Sequence, residues 1–215
     1  MKLQLTRPVP GMITQRYGEN NICVREDDGT IVGKKDGVCP IGSIEFYPSI
    51  GLKYHNGDDF STYRGESVRA AHEGIVNIFP NNGTAGNMVK IISENQYEIT
   101  STVPIKAMTL YMHNLSFVAT QGQRVRAGDV ISLSDSTGAS SADHLHFGLY
   151  ECKDNGIILN QDNGVKGAID PELFFPRPSE LQPDWRASVI FGILSLMGIK
   201  LTDEVKRKII RLLNP

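Results

Sequence analysis

The sequence predicts a mainly β protein, with an antiparallel, sandwich-like sheet domain over residues 1–178 and a short helical tail over 179–215. Three observations carry this. Short strand-like segments recur from Tyr54 to Phe175, divided by Gly- and Asn-rich turns. With 21 Gly and 11 Pro among 215 residues, punctuation is too frequent for many long helices. Near residue 176 the composition shifts: PRPSELQPDW holds three prolines in ten residues, reads as a linker, and is followed by helical periodicity.

The elements follow in order. Residues 1–20 form a lead-in that ends in a turn at Gly18. Residues 20–52, with EDDG, KKDG and CPIG, are polar and turn-rich, and a long loop or loose hairpin is expected. Val68–Ala71 and Gly74–Phe79 read as strands around a turn, and Asn82-Gly83 and Gly86 mark the next turn. Met88–Ile92, Tyr97–Val103, Met108–His113, Val130–Leu133 and His144–Tyr150 are the further strands. In the tail, Trp185–Gly198 is apolar on most sides. Thr202 suits an N-cap, with Asp203 and Glu204 in the first turn and Lys206, Arg207, Lys208 and Arg211 later, matching the helix dipole. Leu201, Val205, Ile209 and Leu212 give that helix one apolar face. A tail packed on the main domain is the favoured reading; docking of a protein partner or a membrane surface is the functional one.

Composition narrows the function. An apolar share of 40% and a charged share of 21% suit a folded soluble core and exclude disorder, collagen and coiled coil for the whole chain. A net charge of −2 argues against nucleic acid as partner. Cys23 and Cys39 flank a polar loop and could pair in an oxidising compartment, leaving Cys152 free; without a CxxC pair a thiolate zinc site is not expected. The N-terminal MKLQLTRPVPGMITQRYGE has no apolar stretch, so a secretory signal is not expected. The longest apolar run, Val189–Ile199, has eleven residues. A transmembrane helix needs roughly 20, so no span is expected.

The chemistry concentrates in the five histidines. In Tyr54-His55-Asn56-Gly57-Asp58-Asp59, a His precedes an Asp by four residues. Asn-Gly between them argues for a turn that folds Asp59 back beside His55, rather than a helix. In Asp143-His144-Leu145-His146-Phe147-Gly148-Leu149, strand alternation puts both histidines on one face, while Leu145, Phe147 and Leu149 fill a core on the other. Two imidazoles on a central strand call for a partner. His55, Asp59 and His146 offer two nitrogens and one oxygen, the donor set of a catalytic zinc that keeps one position open. His144, on the same face, is then available as a base, and His113, at the end of a predicted strand, could meet a developing oxyanion or share the base role.

These motifs resemble the LytM/lysostaphin-like metallopeptidases of family M23, zinc endopeptidases that cut peptidoglycan cross-bridges or stems. The HxxxD motif matches His55 to Asp59, the HxH motif matches His144-Leu145-His146, and a third His after a Tyr matches Tyr111 and His113. VRAAHEGIV, GNMVKI, VRAGDVISLSDSTGASSADHLHF and GAIDPELFF are also similar to the family's pattern, over roughly residues 5–176. The resemblance implies one Zn²⁺ held by His55, Asp59 and His146, with His113 and His144 catalytic. It implies a peptidoglycan peptide as substrate and the bacterial cell wall as the place of action. Delivery with a phage tail or virion, or release by lysis, is compatible with the absent signal. The chain departs from the pattern at Asp58, where the family has an apolar residue; this carboxylate is expected to face solvent. The connections 20–52 and 152–169 are longer than the minimum and are expected to line the groove. His72 lies outside the motifs and reads as structural or surface.

Other chemistries fit less well. GxSxG, GxGxxG and the P-loop pattern are absent, and adjacent Asp58 and Asp59 cannot flank a glycosidic bond. VRAGDVI is similar to lipoyl hairpins, but no Lys stands near Val125–Leu133. A non-catalytic wall- or partner-binding module is the alternative.

Overall fold

Strands account for nearly all regular structure in the computed structural model, which describes residues 1–20, 24–25, 30–32 and 46–176. In chain order these are β1 (Ile13–Gln15), β2 (Val24–Arg25), β3 (Ile31–Val32), a single helical turn α1 (Phe46–Ser49), β4 (Asp58–Ser61), β5 (Ser67–Arg69), β6 (Gly74–Phe79), β7 (Asn87–Tyr97), β8 (Ile105–Phe117), β9 (Arg124–Val125), β10 (Val130–Ser134), β11 (His144–Cys152) and β12 (Ala168–Ile169). Short 3₁₀ turns lie at Gly83–Ala85 and Pro171–Phe174. Among the described residues no helix is long and apolar enough to cross a membrane. Both predicted tail helices, and Cys23 and Cys39, lie outside the described residues. Cys152 is buried and free.

The strands join as one branched, antiparallel sheet in the order β1-β4-β11-β8-β7-β6-β9, with β12 beside β11 and β5–β10 branching from the end of β8; β2 and β3 pair separately. Alternation explains the packing. Leu145, Phe147 and Leu149 of β11 are wholly buried and share one core with Phe60, Val89, Ile91 and Tyr111 of the neighbouring strands and with Val68 and Ile131 of the branch. Phe147 anchors it, with its ring centroid 5.2 Å from Tyr111 and 6.4 Å from Phe60. Truncating such a ring typically costs about 3–5 kcal/mol, so the face behind the histidines is held firmly. The opposite face carries a second cluster with Met88, Met108, Leu110 and Tyr150, and forms a groove floor.

Two expectations need correction. Val68–Ala71 and Gly74–Phe79 do contain strands, but these do not pair with each other: β5 pairs with β10, and β6 with β7 and β9. Tyr97–Val103 is not a strand. β7 runs on to Tyr97 through the polar Glu94-Asn95-Gln96, and the chain then reverses into β8. A register shift between Ile92 and Gln96 absorbs the polar residues, and Glu73 accepts from the backbone N–H groups of Glu94 and Asn95.

Candidate active site

Three adjacent strands bring the site together. On β4 and β11, Asp59 and His146 are direct cross-strand partners, and His144 lies one step along, opposite Ser61. Cross-strand partners have Cβ atoms about 4.5–5.5 Å apart, close enough for short side chains to meet. His146 Nδ1 lies 3.0 Å from Asp59 Oδ1. His55, in the bend before β4, brings its Nε2 to 3.2 Å from the same oxygen and 3.0 Å from His146 Nδ1. One ligand atom from each of the three lies within 4.8 Å of the others.

The bend that places His55 depends on Gly57. A Cβ there would lie 2.4 Å from Phe147 O and 2.9 Å from His146 Nε2. His55 is held by its Nδ1–H, which donates to Arg16 O at 3.1 Å and leaves Nε2 as the lone-pair nitrogen. Such outer contacts fix tautomer and ring angle in metal sites. His146 turns Nδ1 toward the cluster, while its Nε2 is buried without a hydrogen-bond partner. Burial lowers the His146 pKa. It opposes charge on His55 too, but there Asp59 prevails and raises the pKa. Asp59 is desolvated as well, yet the two imidazoles hold it well below the usual carboxylate range. An ionised oxygen and two inward-facing nitrogens are the donor types that suit zinc.

The third strand supplies His113 through a bulge. The sequence places this residue at a strand end, but it lies inside β8. There φ is +64°, and the pairing with β7 shifts register between Asn87 and Val89. Along an unbroken strand His113 would share the inward face of Tyr111. With the bulge, consecutive Met112 and His113 both line the groove. Here β8 also changes neighbour: residues up to Met112 pair with β11, and those from Asn114 pair with β10.

Both remaining imidazoles are oriented by the segment 135–143 between β10 and β11. His113 Nδ1 donates to Thr137 O at 2.7 Å, and His144 Nδ1 donates to Ala142 O at 2.9 Å with Ser140 Oγ 3.1 Å away. Their rings stand 4.6 Å apart, and His144 Nε2 is 3.8 Å from Asp59 Oδ1. Burial pushes His113 down to about 4, so it is neutral near pH 7 and offers a lone pair at Nε2. The segment is itself fastened: Thr137 Oγ1 donates to Asn114 O and accepts from Asn87 N, and Ala139 N donates to Thr84 O.

The groove has a volume of about 370 Å³. Met88, Leu110, Met112, Ile158 and Tyr150 give it an apolar floor, Tyr47, Ile50 and Leu52 come from the connection before β4, and Lys166 from the segment before β12. Both long connections therefore reach the groove. Asp58 does not face solvent as expected. Strand alternation turns it to the face opposite Asp59, where it is fully buried and accepts from Tyr17 N at 3.0 Å. His72 is a buried structural residue. Its Nδ1 donates to Glu73 O at 2.6 Å, and its Nε2 meets Thr109 Oγ1 at 3.0 Å. Thr137 and the burial of Asp58 escape sequence reasoning, Gly57 is legible as a turn residue but not as a close contact of β11, and the Gly/Ser turn before HxH is the one visible hint of the orienting segment.

A His/Asp cluster flanked by two further imidazoles in a groove is a layout that can hold a metal ion beside acid–base groups. Comparison with known proteins gives the family. The model of peptidase family M23 matches residues 53–161, about half of the chain, and the chain belongs to that family. The DD-carboxypeptidase/endopeptidase Mpg of Neisseria meningitidis is 36% identical over 108 residues, 50% of this chain and 22% of the relative. The peptidoglycan DD-endopeptidase ShyA of Vibrio cholerae is 36% identical over 95 residues, 44% of this chain and 20% of the relative. The chain thus matches only about a fifth of the length of these relatives. Among solved structures, the catalytic domain of lysostaphin from Staphylococcus simulans is 31% identical with a TM-score of 0.44, covering 57% of this chain and 79% of that one.

Proposed function

We propose that the protein is a zinc-dependent endopeptidase that hydrolyses peptide bonds of bacterial peptidoglycan. The observation that carries this is the convergence of His55 Nε2, Asp59 Oδ1 and His146 Nδ1, with the other two imidazoles facing the same groove. The donors fit the ion: two nitrogens and one carboxylate oxygen, with His55 already locked in the tautomer that leaves Nε2 bare. When bound, zinc supplies Lewis acidity toward a substrate carbonyl and toward water.

The chain's own groups handle the protons. With Nδ1–H on a carbonyl, neutral His144 and His113 each present Nε2 as an acceptor. Neither can donate from Nε2 until it has taken a proton, so an oxyanion-stabilising His113 must be the imidazolium. We assign His144 as the base that accepts the proton of the attacking water. His144, so protonated, returns that proton to the leaving amine, while His113 faces the developing oxyanion and can donate to it only as the imidazolium. The apolar floor excludes water around the scissile bond and strengthens these interactions.

The test is digestion of purified peptidoglycan of several chemotypes with mass analysis of the fragments. New termini should appear, vanish with chelator and return with zinc. No chelator-sensitive product from any wall type would overturn the assignment.

A further inference from the structure

β4 presents its two carboxylates to opposite faces, and only Asp59 belongs to the groove. Asp58 is 0% exposed. Its Oδ1 accepts from Tyr17 N, but its buried Oδ2 has no hydrogen-bond partner. Beside it stand Asp170 and Glu172, and one oxygen from each of the three residues lies within 4.8 Å of the others. Asp170 caps the Pro171–Phe174 turn, accepting from Glu172 N at 3.1 Å, and Glu172 Oε1 pairs with Arg16 Nε at 3.1 Å.

We propose that Asp58, Asp170 and Glu172 form a second cation site, which takes one calcium-type divalent ion and braces the back of the strand that carries Asp59. A hard cation suits three carboxylates. Calcium binds oxygens at about 2.3–2.6 Å, so oxygens sharing it lie up to about 5 Å apart, which accommodates the observed spread. It gives the buried Asp58 Oδ2 the partner it lacks. The site reaches the groove through one short stretch of chain. Arg16 O holds His55 Nδ1, the Arg16 side chain holds Glu172, and Tyr17 N holds Asp58. An ion here therefore fixes the turn that aims His55.

The test uses the full chain, with equilibrium dialysis against radioactive calcium, metal analysis for zinc, and thermal unfolding across a calcium titration with magnesium as control. One calcium should bind per chain. At a hundredfold excess over Kd, Tm should rise by about 5–10 °C. Asp58→Asn keeps an acceptor for Tyr17 N and should lose calcium binding at least tenfold, with zinc content unchanged. Glu172→Gln should do the same and carries the test if Asp58→Asn does not fold. No calcium bound at millimolar concentration, or undiminished binding in the folded variants, overturns the proposal.

Discussion

Replacing Gly57 by Ala adds one methyl group to the tightest place in the site. That methyl would lie 2.4 Å from Phe147 O, and 2.9 and 3.0 Å from His146 Nε2 and Cε1. Ordinary contact needs about 3.5 Å, so roughly 1 Å must be found. Two movements can supply it. The 55–58 bend can retreat, which draws His55 Nε2 from its 3.2 Å contact with Asp59. Alternatively β11 can yield, which loosens the wholly buried Phe147 from Tyr111 and Phe60. Overpacking of this kind costs about 1–3 kcal/mol, or a Tm lowered by about 3–10 °C at this chain length. Either movement misplaces one of the three candidate ligands, and zinc affinity should fall by about 10- to 100-fold, the scale seen when outer contacts of a metal site are lost. Calorimetry and zinc titration against a competing chelator measure the two effects. A Gly57→Ala variant with parental Tm and unchanged zinc affinity would refute the reasoning.

Further outcomes follow from the same geometry. His113→Ala and His144→Ala should each keep zinc by elemental analysis and lower turnover by about 10²–10⁴-fold, the scale of one acid–base group. Asp59→Ala and His146→Ala should lose zinc and activity together; full zinc occupancy in either would remove that residue from the ligand set. Burial lowers the pKa of His72, so below about pH 6.5 the unfolded chain binds a proton that the folded chain refuses. The stability linked to His72 is thus complete above that pH and falls as pH drops toward its folded value, by up to about 1.4 kcal/mol per unit. Denaturant melts of His72→Phe across pH 5–8 should show the shallower slope about these values predict. Deleting residues 181–215 should leave zinc content unchanged, because all three candidate ligands lie in the Met1–Phe175 unit.

Strand alternation made much of this legible. His144 and His146 fall on one face and Leu145, Phe147 and Leu149 on the other because β11 is regular and central, with neighbours on both edges. The turn chemistry of Asn56-Gly57 foretold the meeting of His55 with Asp59. What escaped the sequence were departures from regularity. His113 cannot be aimed by counting along β8, since its left-handed backbone reverses the expected face. Tyr97–Val103 was misread because a polar stretch with a register shift looks like a break. Asp58 was assigned to water because a carboxylate usually belongs there, although period two places it inward, beside Phe60.

The segment 135–143 gives the two free imidazoles a common mechanical support. His113 and His144 come from different strands, yet each takes its tautomer from a carbonyl of this one connection, and the connection is tied in turn to Asn87, Asn114 and Thr84. The orientations of the two rings are therefore not independently adjustable. Whatever displaces the connection, a substitution at Thr137 included, turns both histidines at once. A transplant of this chemistry into another sheet would have to carry the connection and its three anchor points along with the histidines.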